Sequence, residues 1–304
     1  MGLRPDPHRL ACPCGKAGRD DHRPHRAGRD RGALHRRGQR RATRAGNGQG
    51  APAHRGGRHL LLKGGGAMLL CIDCGNTNTV FSVWDGARFL CTLRTATDHQ
   101  RTADQYYVWF STLMAHHKLP VEINECILSS TVPRVVFNLR VLCDRYFDCR
   151  PLVVGKPECL LPHPPRVDAG TQVGPDRLVN TAGAYDRHGG DLIVVDFGTA
   201  TTFDVVAHDG AYVGGVIAPG VNLSLEALHH AAAALPHVDV TKPQRVIGTN
   251  TVACMQSGVF WGYVGLVRGI CDRIRAEHER PMRIIGTGGL ASLFSQGDVL
   301  FDRV

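Results

Sequence analysis

The sequence runs to 304 residues, 43% hydrophobic and 21% charged, which is enough apolar material for one large domain or two ordinary ones. Its net charge of +9 points toward nucleic acid only until it is divided: residues 1–67 hold 16 Lys+Arg against 4 Asp+Glu, whereas the remainder holds 20 against 23. The mildly acidic remainder offers no basic footprint for a phosphate backbone, and no apolar run reaches the roughly 18 residues of a membrane span, so a cytoplasmic chain with no nucleic-acid and no membrane partner is expected.

Residues 1–67 are rich in Arg, Gly, His and Pro and show neither helical nor strand periodicity, so they are not expected to fold. The first reading is upstream sequence carried in frame, with Met68 as the start. The codons of Lys63-Gly64-Gly65-Gly66 accommodate a purine-rich ribosome-binding site. A disordered tail comes next, and a basic arm around Arg36-Arg37 and Arg40-Arg41 last.

From Met68 the pattern changes. Leu69–Asp73 reads as a strand, followed by a Gly-Asn turn and a second strand, Thr79–Trp84, closed by Asp85-Gly86. Residues 102–118 form an amphipathic pattern, Cys126–Ser130 a strand, and Val132–Arg145 a helix with Pro133 in its first turn. Leu152–Val154 is a short strand, 155–173 is Pro-rich and irregular, and Asp176–Asp186 is a helix. A strand over Asp191–Asp196 then enters a second Gly-Thr turn and hairpin. Helices near 222–234 and 250–279 precede a strand at Arg283–Ile285. Of eleven cysteines, Cys12 and Cys14 lie in the first stretch. The one Cys-x-x-Cys, Cys71 and Cys74, sits in an apolar run with no second pair at zinc spacing, so core packing in a reducing compartment is expected. His229-His230 and His237 read as surface residues, and Trp261 and Tyr263 as packing.

An internal repeat organises these elements. Ile72-Asp73-Cys74-Gly75-Asn76-Thr77 returns 123 residues later as Val195-Asp196-Phe197-Gly198-Thr199-Ala200, and the following strands align Thr79 with Thr202. Two copies of strand, acidic glycine turn, strand imply a duplicated α/β domain with a cleft between the halves. The boundaries expected are 1–67, 68–188 and 189–304.

The turns carry the chemistry. Glycine lets backbone approach a phosphate, and successive N–H groups with Thr hydroxyls donate to its oxygens. The Asp cannot bind phosphate itself and must hold a cation that bridges to it. A single Asp-x-Gly-x-Thr is ordinary hairpin chemistry; two facing copies clamp a polyphosphate. Gly286-Thr287-Gly288-Gly289 could let an adenine ring lie against backbone, or be a plain strand-to-helix turn. No Walker-type loop occurs, which disfavours a P-loop kinase.

Asp73-Cys74-Gly75-Asn76-Thr77-Asn78-Thr79, Gly174-Pro175-Asp176-Arg177, Asp196-Phe197-Gly198-Thr199-Ala200-Thr201-Thr202 and Gly214–Gly220 together resemble the ordered motif set of type III pantothenate kinases, across essentially all of 68–304. The resemblance implies duplicated actin-like (ribonuclease H-like) domains around an ATP cleft. It also implies phosphorylation of pantothenate by ATP at the first step of coenzyme A synthesis, with Mg2+ and a monovalent cation (K+ or NH4+), in a homodimer. Carried over by residue, it makes Asp73, Cys74, Gly75, Asn76, Thr77, Asn78, Thr79 and Val80 the ATP phosphate segment, and Thr199 a further ATP contact. Gly174, Pro175, Asp176 and Arg177 become the pantothenate segment with Asp176 as proton acceptor, Thr251 a pantothenate contact, and Asp196 the monovalent-cation ligand.

Two of these residues keep a second reading. Asp176 could instead be a helix N-cap, and Arg177, which could meet pantothenate's carboxylate or hold Asp176 ionised, could instead be a domain-bridging ion pair. The chain departs from the family at Pro175, where Ala is frequent, at Val167, near the place of an absent aromatic, and at Val304, where a final helix usually follows. Another actin-like-fold small-molecule kinase or phosphatase, or a non-enzymatic transcriptional accessory factor, are the competing readings. Asp73, Asp176 and Asp196 argue against the last.

Overall fold

In the computed structural model, which describes residues 68–120, 122–232, 235–295 and 300–304, the first hairpin follows Met68 at once as β1 (Leu69–Cys74) and β2 (Asn78–Trp84). The expectations for residues 1–67 lie outside the described residues. β3 (Phe89–Ala96) extends the hairpin, and β4 (Glu125–Ser130) and β5 (Leu152–Val153) lie parallel on the other side of β1, giving the order β3-β2-β1-β4-β5. The second sheet repeats the plan. β6 (Leu192–Phe197), β7 (Ala200–Val206), β8 (Tyr212–Pro219) and β9 (Arg283–Gly288) assemble as β8-β7-β6-β9, antiparallel up to β6 and parallel from β6 to β9. The duplicated α/β arrangement expected from the repeat, and the actin-like plan that the resemblance implies, are what the two sheets display.

The repeat's alignment needs one correction. Asp73 pairs with Val80 and Cys74 with Thr79, whereas Asp196 pairs with Thr202 and Phe197 with Thr201. The second turn is one residue shorter, so the counterpart of Thr79 is Thr201, not Thr202. Both are fully buried, as residues on one face of equivalent strands should be.

Local signals explain the helices. α1 (Ala103–His116) starts with a capping box between Thr102 and Gln105 and buries Ala103, Tyr106, Phe110 and Met114 at helical spacing. α2 (Pro133–Phe147) has Pro at its first position and ends at Asp148 in the left-handed conformation, φ 48°. These two helices cover the first sheet. Phe81 lies 5.7 Å from Tyr106 and 5.9 Å from Phe110 between ring centroids, each ring contributing roughly 1.5–3 kcal/mol by its burial.

On the second sheet, β6 is covered on both faces, which is why Leu192-Ile193-Val194-Val195 reads as an unbroken apolar run. Ile193 and Val195 meet Phe260, Val264 and Val267 of α5 (Thr251–His278). Leu192 and Val194 join Ala184 of α3 (Pro175–His188). α4 (Val221–Ala231) packs on α5, and the short α6 (Ala291–Phe294) closes the end of β9. α3 touches β4 of the first sheet and β6 and β7 of the second. No helix among the described residues is long and apolar enough to cross a membrane.

Candidate active site

The two acidic turns face each other. Gly75, Asn76 and Thr77 link β1 to β2, Gly198 and Thr199 link β6 to β7, and the Thr77 and Thr199 hydroxyl oxygens lie 3.1 Å apart. Asn76, Thr77 and Thr199 are exposed. Cys74 and Thr79 instead brace the first turn from beneath: the Thr79 hydroxyl is 3.2 Å from the Cys74 sulfur and 2.9 Å from the Thr97 hydroxyl. Thr97 donates in turn to the Gly75 carbonyl at 2.7 Å, and the Gly75 amide donates to the Asn78 carbonyl at 2.9 Å. Val80 is half-buried in β2 opposite Asp73.

Three carboxylates gather behind these turns. Asp73 ends β1, Asp196 lies at the end of β6, and Asp176 is the second residue of α3. Desolvation by the surrounding turns pushes the Asp73 carboxyl above its usual range although the residue keeps an exposed edge. The neighbouring Ser129 hydroxyl draws it partly back, and the Asp176 charge raises it again. Asp196 is also raised, by burial first, then by Asp176 and Asp73, against the lowering effect of the Asn180 amide, which donates at 3.0 Å. Mutual repulsion of this kind is relieved by a cation. Among the described residues no group of three or more acidic, His or Cys side chains could hold a metal unaided, so phosphate or water oxygens would complete its shell. Gly288, at φ +90°, is required here: a Cβ would stand 2.4 Å from the Asp196 carboxylate. At Gly286 the flat ring lying against the backbone is Phe301, which a Cβ would meet at 3.0 Å.

The substrate segment opens α3. Gly174 is the N-cap and Pro175 the first helical residue, so the cap role considered for Asp176 belongs to Gly174. Arg177 adopts the ion-pair reading: its Nε donates to Asp204 Oδ1 at 2.5 Å, and Asp204 is fully buried in β7. Burial pushes Asp204 up to about 6 even though the Arg177 charge and hydrogen bond pull it down. Arg177 Nη2 is buried without a hydrogen-bond partner, and the guanidinium sits 5.4 Å over the Tyr212 ring. Beside it lies a cavity of about 570 Å³ walled by the irregular segment (Arg166, Val167, Asp168, Thr171–Val173) and by Tyr212–Gly214 of β8. Tyr212 thus supplies an aromatic wall next to Val167. Thr251 begins α5 with an exposed side chain, and none of the described contacts joins it to the cleft.

Sequence reasoning passed over Asp204, Asn180, Ser129 and Thr97. Two left a signal. Asp204 is a carboxylate in the apolar strand Phe203–Val206, which demands a buried partner, and Asn180 stands four residues from Asp176 on one helix face.

The profile of the type III pantothenate kinase family matches residues 69–273. A type III pantothenate kinase of Ruegeria pomeroyi is 76% identical over 235 residues, covering 77% of this chain and 91% of that protein. One of Roseobacter denitrificans is 77% identical over 235 residues, covering 77% and 91%. Among solved structures, the ethanolamine utilization protein EutJ of Carboxydothermus hydrogenoformans aligns with a TM-score of 0.45 at 14% identity, covering 75% of this chain and 78% of that one.

Proposed function

The chain belongs to the type III pantothenate kinase family, and from that premise we propose that its cleft transfers the terminal phosphoryl group of ATP to the primary hydroxyl of pantothenate, the first step toward coenzyme A. The observation that carries this reading is the facing of two acidic glycine turns, hydroxyl to hydroxyl, in front of Asp73, Asp176 and Asp196. The turn from Gly75 to Asn78, braced by its own Gly75 to Asn78 hydrogen bond, and Thr199 would cradle the phosphates with the N–H groups of Asn76 and Thr77 and with the two Thr hydroxyls. Asp176, held in the first turn of α3, would orient the substrate hydroxyl and accept its proton as the new bond forms. Arg177, fixed on Nε by Asp204, lines the adjoining cavity and brings a positive charge to its wall, which suits the pantothenate carboxylate.

The donor set fits cations. Asp196 with its Asn180 partner would hold the monovalent ion (K+ or NH4+), and Asp73 would face Mg2+ arriving with ATP. Bound there, such ions neutralise phosphate charge. We read the assembly as a homodimer, supported by apolar side chains left bare on β8, α4 and the approach to α5: Ile217, Leu223 and Ile247, the last 81% exposed. Both substrates belong to the cytoplasm, where we place the chain.

A coupled assay of ADP release, with and without pantothenate and with and without potassium, tests the function. Pantothenate-dependent, potassium-stimulated turnover is expected. ADP release that ignores pantothenate but follows a sugar would overturn it.

A further inference from the structure

Away from the cleft, on the far side of the first sheet's core, three cysteines converge. Cys126 lies on β4, Cys143 on α2, and Cys149 just past that helix. The left-handed Asp148 and a 3.2 Å hydrogen bond from the Cys149 amide to the Cys143 carbonyl fold the chain back, so that the Cys149 sulfur comes to 2.7 Å from the Cys126 sulfur. Cys126 and Cys143 are buried, whereas Cys149 is half-buried and reachable from solvent. Sulfurs this close need only a small further approach to reach bonding distance, roughly 2.05 Å.

We propose that Cys149 and Cys126 form a peroxide-oxidisable dithiol, Cys149 as the attacking thiolate and Cys126 as the resolving thiol, closing a reversible disulfide between α2 and β4. In the first step the Cys149 thiolate attacks one oxygen of hydrogen peroxide. The O–O bond breaks, a sulfenic acid forms, and hydroxide leaves to take a proton as water. The Cys126 thiol then attacks the sulfenic sulfur. The S–S bond forms, and the expelled hydroxyl leaves with the Cys126 proton as a second water. Two electrons pass from the thiol pair to the peroxide.

The surroundings support that division of roles. Hydrogen bonding from Cys126, then from Cys143, lowers Cys149 against the opposing effect of burial, whereas Cys126 is raised well above its ordinary value and stays a thiol. Cys143, raised overall, also feels the charge of Asp144. Asp148 and Arg150 flank Cys149 in the chain. Ser129, beside Asp73, is three residues farther along β4, so the bridge would pin the strand that backs the first phosphate turn.

The test treats the full chain with stoichiometric hydrogen peroxide, alkylates the remaining thiols and maps peptides by mass spectrometry. A Cys126–Cys149 linked peptide that dithiothreitol reverses is expected in the native protein. Cys126→Ala should instead accumulate a dimedone-reactive sulfenic acid at Cys149, formed more slowly than the native disulfide because the Cys126 hydrogen bond that lowers Cys149 is gone, and Cys149→Ala should give neither product. As the pH falls from 7.5 to 5.5 the Cys149 rate should fall clearly less than that of free cysteine run alongside, which loses roughly 100-fold as its thiolate is protonated. No linked peptide in the native protein, dimedone labelling elsewhere in Cys126→Ala, or a Cys149 rate that falls in parallel with free cysteine would each overturn the proposal.

Discussion

Replacing Arg177 with Met tests the electrostatics of the cleft most directly. Met keeps much of the side chain's apolar bulk over Tyr212 but strips Asp204 of the one charge it pairs with, leaving Thr202, 3.1 Å away, as its donor. Asp204 is 0% exposed, and an unpaired carboxyl there escapes by taking up a proton, so the cost at pH 8 is bounded by the two units between 6 and 8, about 2.7 kcal/mol, or a fall in Tm of roughly 5–11 °C for a domain of this size. The pH dependence carries the sharper signature. A carboxyl raised from 3.8 to about 6 contributes stability that is complete below 3.8 and lost as pH rises through 6. Without Arg177 it rises further, each added unit costing about 1.4 kcal/mol once the pH exceeds it. The deficit of Arg177→Met should therefore be small at pH 5 and large at pH 8. Adding Asp204→Asn should erase most of that slope. Thermal melts of the three proteins at both pH values decide the matter: a deficit equal at pH 5 and 8, or below about 1 kcal/mol at pH 8, refutes an Asp204 charge held by Arg177.

Asp176→Asn should lower kcat by roughly 10²–10⁴-fold with ATP affinity and Tm little changed, because Gly174 rather than Asp176 caps α3; turnover within a few-fold of native would remove Asp176 from the chemistry. Asp196→Asn should abolish or weaken potassium activation, read as the ratio of rates with and without the ion, and an unchanged ratio would show that the ion sits elsewhere. Ile217→Asp, on the exposed edge strand β8, should shift the sedimentation coefficient from dimer to monomer; a protein that sediments the same with and without the substitution would clear this face of the role.

Much of the fold was legible because its signals are local. The two acidic turns, Pro133 at the start of α2 and the helical spacing of Tyr106, Phe110 and Met114 each declare an element within a few residues. β3 was not legible: only Leu93 on it is buried, so it has no alternation to read. β8 was equally hidden. Gly214 and Gly215 weaken any strand pattern, yet they let the strand lie close on β7, where a side chain at 215 would strike the Phe203 carbonyl. The motif residues of the site could be named from sequence, but their division of labour could not. That Cys74 and Thr79 stand under the turn rather than in the cleft depends on Thr97, arriving from the far end of β3. That Arg177 is held on one side depends on Asp204, contributed by β7, 27 residues farther along the chain.

The cavity beside Arg177 is bounded on one side by a helix seated against both sheets and on the other by a stretch without regular structure. That stretch is tied down at Arg166, whose amide bonds the Tyr212 carbonyl at 2.8 Å and whose guanidinium pairs with Asp209. The two walls therefore differ in how freely they can vary. A change in α3 is felt by strands of both sheets at once, whereas residues 167–173 can be exchanged without unseating either. In a descendant of this enzyme that accepts a bulkier or differently charged alcohol, the substitutions should accumulate in that short stretch and at Tyr212, with Asp176 and Arg177 left standing.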